Sequence, residues 1–192
     1  MKQLQSLLRR FPLLIASLVL CIVALFSDYE KKSDGLGLEN MLPVMEHEDG
    51  FTHGKVKVRK VFDGDTVNVQ DTNGKIYKVR LYGIDAPEKG QPFANKAREF
   101  VYYETKNKEF TIEIHDVDKY KRQVVVLYDE NGISLQEQIL ANGYAWVHPY
   151  FCHDVMICPG YEKAEYEARE EKLGLWQERS PEAPWEFKKR NR

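Results

Sequence analysis

Between Lys55 and Tyr128 the chain runs in short polar–apolar alternations, and this period of two limits the possible folds more than any other feature. Lys55–Phe62 carries Val56, Val58, Val61 and Phe62, with one irregularity in facing. Thr66–Gln70 and Lys75–Ile84 are the second and third alternating runs. Asn73-Gly74 between them is the strongest short hairpin signal in the chain. Pro92–Lys106 changes period. Phe93, Ala97, Phe100 and Val101 fall on one helical face, and Pro92 suits a first helical turn. Alternation returns in Glu109–His115, through Phe110, Ile112 and Ile114, and in the Val-rich Arg122–Tyr128, which Asn131-Gly132 ends. Ser134 and Glu137 have the spacing of a capping box, which predicts a short helix over Leu135–Ala141, closed by Asn142-Gly143. Tyr161–Leu173 is a charged amphipathic helix with Tyr161, Ala164 and Ala168 inward, stopped by Gly174.

The order is three strands, a helix, two strands and two helices. It predicts a mainly β, α+β fold: a five-stranded Greek-key barrel of the OB type with about three helices. An open α+β sheet is the alternative, because periodicity alone does not close a barrel. The flanks differ from this domain. Met1–Arg10 holds Lys2, Arg9 and Arg10 and no acid, and Phe11–Phe26 is uncharged and mostly Leu, Ile, Val and Ala. Residues 1–27 therefore read as an export segment, either a cleaved signal peptide or a retained membrane anchor. A buried core helix is the lesser reading, and Arg9-Arg10 alone is weak support for a twin-arginine route. The expected location is periplasmic, secreted or anchored to the membrane. Residues 28–54 read as a polar linker, 55–178 as the domain and 179–192 as a C-terminal tail.

The formal net charge is −2, and without residues 1–27, which carry three basic residues and no acid, it becomes −5. An acidic domain is a poor candidate for tight, charge-driven duplex binding. It remains compatible with an enzyme that has a local cationic pocket and a bound metal. Cys21 lies in the hydrophobic run, which leaves Cys152 and Cys158 as a pair. In an exported protein such a pair is most simply a disulfide. The rival is a zinc site with His148 and His153, although the spacing fits no standard zinc pattern.

Three segments concentrate the chemistry. Asp63-Gly64-Asp65-Thr66 puts two acids around a glycine where two strands meet. A hard cation takes such carboxylates, and an ordinary Asp-Gly turn looks the same. In Val79–Glu88, alternation sends Arg80 to the face opposite Val79 and Leu81, and Glu88 stands on the loop behind Pro87. Solvated surface charges are the plain alternative. Asp118-Lys119-Tyr120-Lys121-Arg122 leads into the last strand and by itself is a charged turn.

Taken together, D-G-D-T, R-L-x-G-I-D-A-P-E, D-x-Y-x-R and the Gly-x-Ala-x-Val stretch at Gly143–Val147 resemble the staphylococcal nuclease family, from about Lys55 to about Trp176. The Pro-Trp-Glu-Phe sequence at Pro184–Phe187, with its basic end, also looks like bacterial members. The resemblance implies a monomeric calcium-dependent endonuclease acting on DNA and RNA and leaving 3′-phosphate ends. It assigns metal ligation to Asp65, Asp85 and the backbone carbonyl of Ala86, with Asp63 behind them. It assigns catalysis to Arg80, Glu88 and Arg122, and the lining of a nucleotide pocket to Tyr120. Lys121 departs from the pattern, since the family often has Gly there. The loop after Glu88 is shorter than in the staphylococcal protein, and Pro149 and Phe151 fall near two base-pocket tyrosines that have no clean match.

These residue types suit phosphodiester hydrolysis. A divalent cation offsets charge on the phosphate, and arginine forks clamp its oxygens. A carboxylate positions or deprotonates water. Tyr120, Trp146, Tyr150 and Phe151 are candidates for stacking on exposed bases. Two other classes stay open from the residues alone. One is a nucleic-acid-binding barrel without catalysis, and the other is a structural envelope protein.

Overall fold

In the computed structural model the described residues are 54–191; the expected export segment, and the expected linker up to residue 53, lie outside them. Alternating valines place β1 (Gly54–Val61), β2 (Thr66–Gln70) and β3 (Ile76–Leu81) in an antiparallel meander. The irregularity in the first run is a register shift between Val58 and Lys60. After β3 come a two-residue strand β4 (Ile84–Asp85) and helix α1 (Ala94–Thr105). β5 (Glu109–Val117) and β6 (Gln123–Tyr128) then form an antiparallel pair. β5 pairs antiparallel with β1, while β6 pairs parallel with β3, so the five long strands close in the order β1-β2-β3-β6-β5. Closure removes the open-sheet alternative. The interior is filled by the period-two residues Val56, Val67, Val69, Val79, Leu81, Phe110, Ile112, Val125 and Leu127, all buried.

Around the barrel lie α2 (Leu135–Ala141), the short strand β7 (Trp146–Val147), α3 (Cys158–Glu170), a 3-10 turn at Gly174–Gln177 and α4 (Pro184–Arg190). The capping-box helix has the expected bounds, with the Ser134 hydroxyl accepting from Glu137 N at 3.0 Å. α2 is tied to the barrel by buried Gln136, whose Nε2 donates to Val125 O at 2.8 Å. Among the described residues no helix is long and apolar enough to cross a membrane.

Several boundaries differ from the sequence reading: the first helix starts at Ala94, after Pro92, β5 runs on to Val117, and three others bear on the site. The third strand stops at Leu81 because Gly83 takes a left-handed φ of 72°. Ile84-Asp85 is thereby freed to pair with β7. A side chain at Gly83 would come within 2.8 Å of Cys152 Sγ, so the turn and the packing above it need the same residue. α3 starts earlier than Tyr161, because Asp154 O accepts Cys158 N at 2.9 Å and Pro159 occupies the first turn. The stretch 179–192, read as a tail, contains α4, with Pro184 buried.

Gly64, buried between the two acids of the β1–β2 joint, has no room for a methyl group. A Cβ there would lie 2.6 Å from Ala86 Cβ and 3.0 Å from Ala97 Cβ. Gly64→Ala is expected to lower the unfolding free energy by about 1–3 kcal/mol, as overpacking does. Urea denaturation followed by fluorescence checks this.

Candidate active site

The register of β2 against β3 pairs Thr66 with Arg80, which brings Asp65 beside the arginine. Val79 and Leu81 point into the barrel, so Arg80 projects the other way, over β4. Its Nη1 forms an ion pair with Asp65 Oδ1. Its Nη2 lies 2.8 Å from Asp85 Oδ1 and donates to Ile84 O at 2.9 Å. Asp65 and Asp85 are only 5% and 1% exposed. The other Asp65 oxygen accepts Ala86 N at 2.8 Å, and Asp63 Oδ1 accepts Asp65 N at 3.1 Å. Burial draws Arg80 below its ordinary pKa. Asp85 and Asp63 push it back up, and the charge of Arg122 adds to the fall.

Arg122 reaches the same end of the barrel from the neighbouring parallel strand, since the next residue, Gln123, pairs with Val79. The turn that delivers it occurs three times. In each copy an aspartate N–H donates to the carbonyl four residues on, and one of its carboxylate oxygens accepts the N–H groups two and four residues on. The aspartates are Asp71, Asp118 and Asp129. The fourth residue has positive φ each time: Gly74 at 86°, Gly132 at 77° and Lys121 at 61°. Lys121 thus keeps the turn at a backbone conformation that suits glycine. In the middle copy the second oxygen, Asp118 Oδ2, accepts Arg122 Nε at 2.7 Å and lies 2.7 Å from Nη2. Asp118 therefore both builds the turn and aims the arginine. Tyr120 is 68% exposed, with the Arg122 guanidinium 5.5 Å from its ring centre.

Glu88 is held through its backbone by Gln91. Glu88 N donates to Gln91 Oε1 at 2.7 Å, and Gln91 Nε2 donates to Glu182 O at 3.0 Å. Its carboxylate lies 2.9 Å from Lys188 Nζ, on α4. The same ammonium is 3.1 and 3.3 Å from the two oxygens of Asp85. The sequence reading named neither Lys188 nor Gln91. The one pointer was the basic run after Phe187.

His148 lies nearby, its ring tilted against those of Phe151 and Trp185 at 4.4 and 5.2 Å between ring centres. Burial lowers its pKa against the pull of Asp85, and Arg80 and Lys188 lower it further, so the ring is neutral at neutral pH. Cys152 and Cys158 are joined in a disulfide, so neither offers a thiolate for zinc. Of the four aromatics considered for stacking, Trp146 is buried against Trp176, while Tyr120, Tyr150 and Phe151 are exposed.

Among the described residues no three His, Cys, Asp or Glu side chains converge on one point as a ready metal cluster. Asp65 and Asp85 are instead drawn onto Arg80 and Lys188. The donors are nonetheless all oxygen, and four carboxylates (Asp63, Asp65, Asp85, Glu88) face the cations Arg80 and Lys188. These hard oxygen donors fit a divalent metal ion.

Residues 78–178 match the family described as staphylococcal nuclease homologue, a span that takes in Arg80, Asp85, Glu88 and Arg122. An Escherichia coli O157:H7 protein named as an uncharacterized endonuclease is 32% identical over 138 residues, 72% of this chain and 86% of that one. The micrococcal nuclease of Shigella flexneri is 33% identical over 148 residues, covering 69% of this chain and 79% of that one. A 38.1 kDa protein of Capnoides sempervirens is 38% identical over 125 residues, and there the chain spans only 36% of the relative's length.

The Asp118 carboxyl sits below its ordinary value of 3.8. Burial raises it, but hydrogen bonds from Arg122 and Tyr120 and the charge of Arg122 outweigh that. A carboxylate depressed in the native state stabilises the fold above its unfolded pKa, and that gain is lost as pH falls through the native value. Asp118→Ala is expected to cost about 1–3 kcal/mol at neutral pH, from unmet turn N–H groups and the unpaired arginine. The difference from wild type should shrink below about pH 4, near the ordinary aspartate value. Urea unfolding across pH measures both.

Proposed function

Because the chain belongs to the staphylococcal nuclease homologue family, we propose that it is a calcium-dependent endonuclease that hydrolyses phosphodiester bonds in DNA and RNA and leaves 3′-phosphate ends. The observation that carries the reading is Arg80 wedged between Asp65 and Asp85, with Glu88 joined to the same Asp85 through one ammonium.

Hydrolysis needs water to attack a phosphorus screened by negative oxygens, and further charge develops on those oxygens in the transition state. Asp65, Asp85 and the Ala86 carbonyl would hold a divalent cation, which would supply Lewis-acid neutralisation of that charge. Arg80 and Arg122, from adjacent strands, grip the phosphate from two directions with donors that stay protonated. Burial lowers the pKa of Arg80 and the like charge of Arg122 adds to the fall, and an anion between the two arginines offsets that repulsion. Glu88, partly open to solvent, accepts the proton of the attacking water. Tyr120, Tyr150 and Phe151 offer exposed rings to unstacked bases, which favours single-stranded or frayed substrate. The export reading rests on the composition of residues 1–27 and gains from the Cys152–Cys158 disulfide, a bond that persists in oxidising compartments.

Two measurements on the full-length protein decide the reading. Glu88→Gln is expected to bind single-stranded DNA as the wild type does and to lose about a hundredfold or more in turnover. Chelation with EDTA should stop cleavage of labelled DNA and RNA, and Ca²⁺ should restore it. Equal turnover in the variant, or full activity in chelator, refutes the assignment.

A further inference from the structure

The C-terminal helix reaches the centre of the site, and nothing in the assignment of Arg80, Glu88 and Arg122 uses it. α4 is fastened at several points. Pro184 is buried, Trp185 packs on His148, a Cβ added to Gly90 would lie 3.9 Å from Phe187 Cζ, and within the segment Arg190 makes a two-point bond to Glu182 at 3.0 and 2.9 Å. Gln91, 7% exposed, ties the Glu88 loop to the segment that leads into this helix. The same helix carries Lys188, whose Nζ spans Glu88 and Asp85.

We propose that Lys188 is a positioning residue for the hydrolysis: its ammonium fixes the Glu88 carboxylate beside Asp85, and the active site is complete only with α4 docked. The inference rests on the reading of Glu88 as the group that handles the attacking water. Glu88 is half-buried, with 38% of its side chain accessible, and it stands on a loop. Its backbone is pinned by Gln91, but among the described residues Lys188 is the ion-pair partner that its carboxylate has. Without that ammonium, two carboxylates at hydrogen-bonding distance from a common point repel each other. Asp85 is held by Arg80 and buried, so Glu88 is the one that swings out. A general base displaced by about an ångström forfeits about a hundredfold in rate.

The test compares full-length wild type, Glu88→Gln, Lys188→Met and Lys188→Arg on a labelled single-stranded DNA. It reads kcat and KM in Ca²⁺, Ca²⁺ affinity by calorimetry, and the melting temperature. Lys188→Met is expected to keep KM and the melting temperature, to bind Ca²⁺ at least as tightly, and to lose about ten- to a hundredfold in kcat. Lys188→Arg should recover most of the loss, because the charge returns at the same place. If Lys188→Met melts early, Lys188→Gln, with similar length and polarity but no charge, is read instead. Wild-type kcat in the uncharged variants overturns the proposal. So does a loss that Lys188→Arg fails to rescue, which marks a packing role. A rise in kcat with tighter Ca²⁺ binding also overturns it and marks Lys188 as a plug in the metal site. A dead Glu88→Gln beside a fully active Lys188→Met defeats this inference alone. A fully active Glu88→Gln defeats the reading of Glu88 and this inference with it.

Discussion

The buried pairing of Arg80 with Asp65 and Asp85 is the contact on which the site's geometry depends. It joins β3 to the end of the β1–β2 connection, which the β2–β3 ladder already sets beside it, and to β4. Two carboxylates removed from water are tolerable only with a cation between them, and a guanidinium has the planar fork to meet both. The pairing is poor evidence of stability, since hydrophobic residues of like volume would hold a barrel as well. What it does supply is a place where negative charge is concentrated, oriented and short of full compensation.

The surrounding structure is arranged to keep that place in register. Gly64 lets the Asp63–Asp65 joint approach Ala86, and Gly83 turns the chain so that Asp85 comes back over Arg80. Asp118 spends one oxygen on a turn and the other on Arg122, so the second arginine is aimed by the backbone that carries it. α4 closes the remaining side with Lys188. The charges alternate in space from Asp65 through Arg80 and Asp85 to Lys188 and Glu88, each meeting its opposite. A phosphate and a divalent cation carry the same two signs, which is why such an alternation suits a phosphodiester.

Much of this was legible beforehand, and the reason differs from residue to residue. The barrel strands could be read because burial on one face imposes a period of two, and α2 because Ser134 and Glu137 cap it locally. The acids and arginines stood out because four short motifs occur in one order. The strand end at Leu81 was missed because Gly83 looks like any glycine until its φ is known. Trp146 was open to two readings, stacking or core, because an aromatic residue has the same letter in either place.

The sequence by itself determined the class of fold, the family, and which side chains carry the charge, because those follow from periodicity and from motifs spanning a few residues. Only the tertiary structure decided that the barrel closes, that Lys121 accepts a glycine's backbone angle, and that Lys188 comes to rest between Asp85 and Glu88. Barrel closure and the Lys188 contact join residues far apart in sequence, up to 103 positions. Contacts at that separation depend on how the whole chain packs, and no local pattern of residues records them.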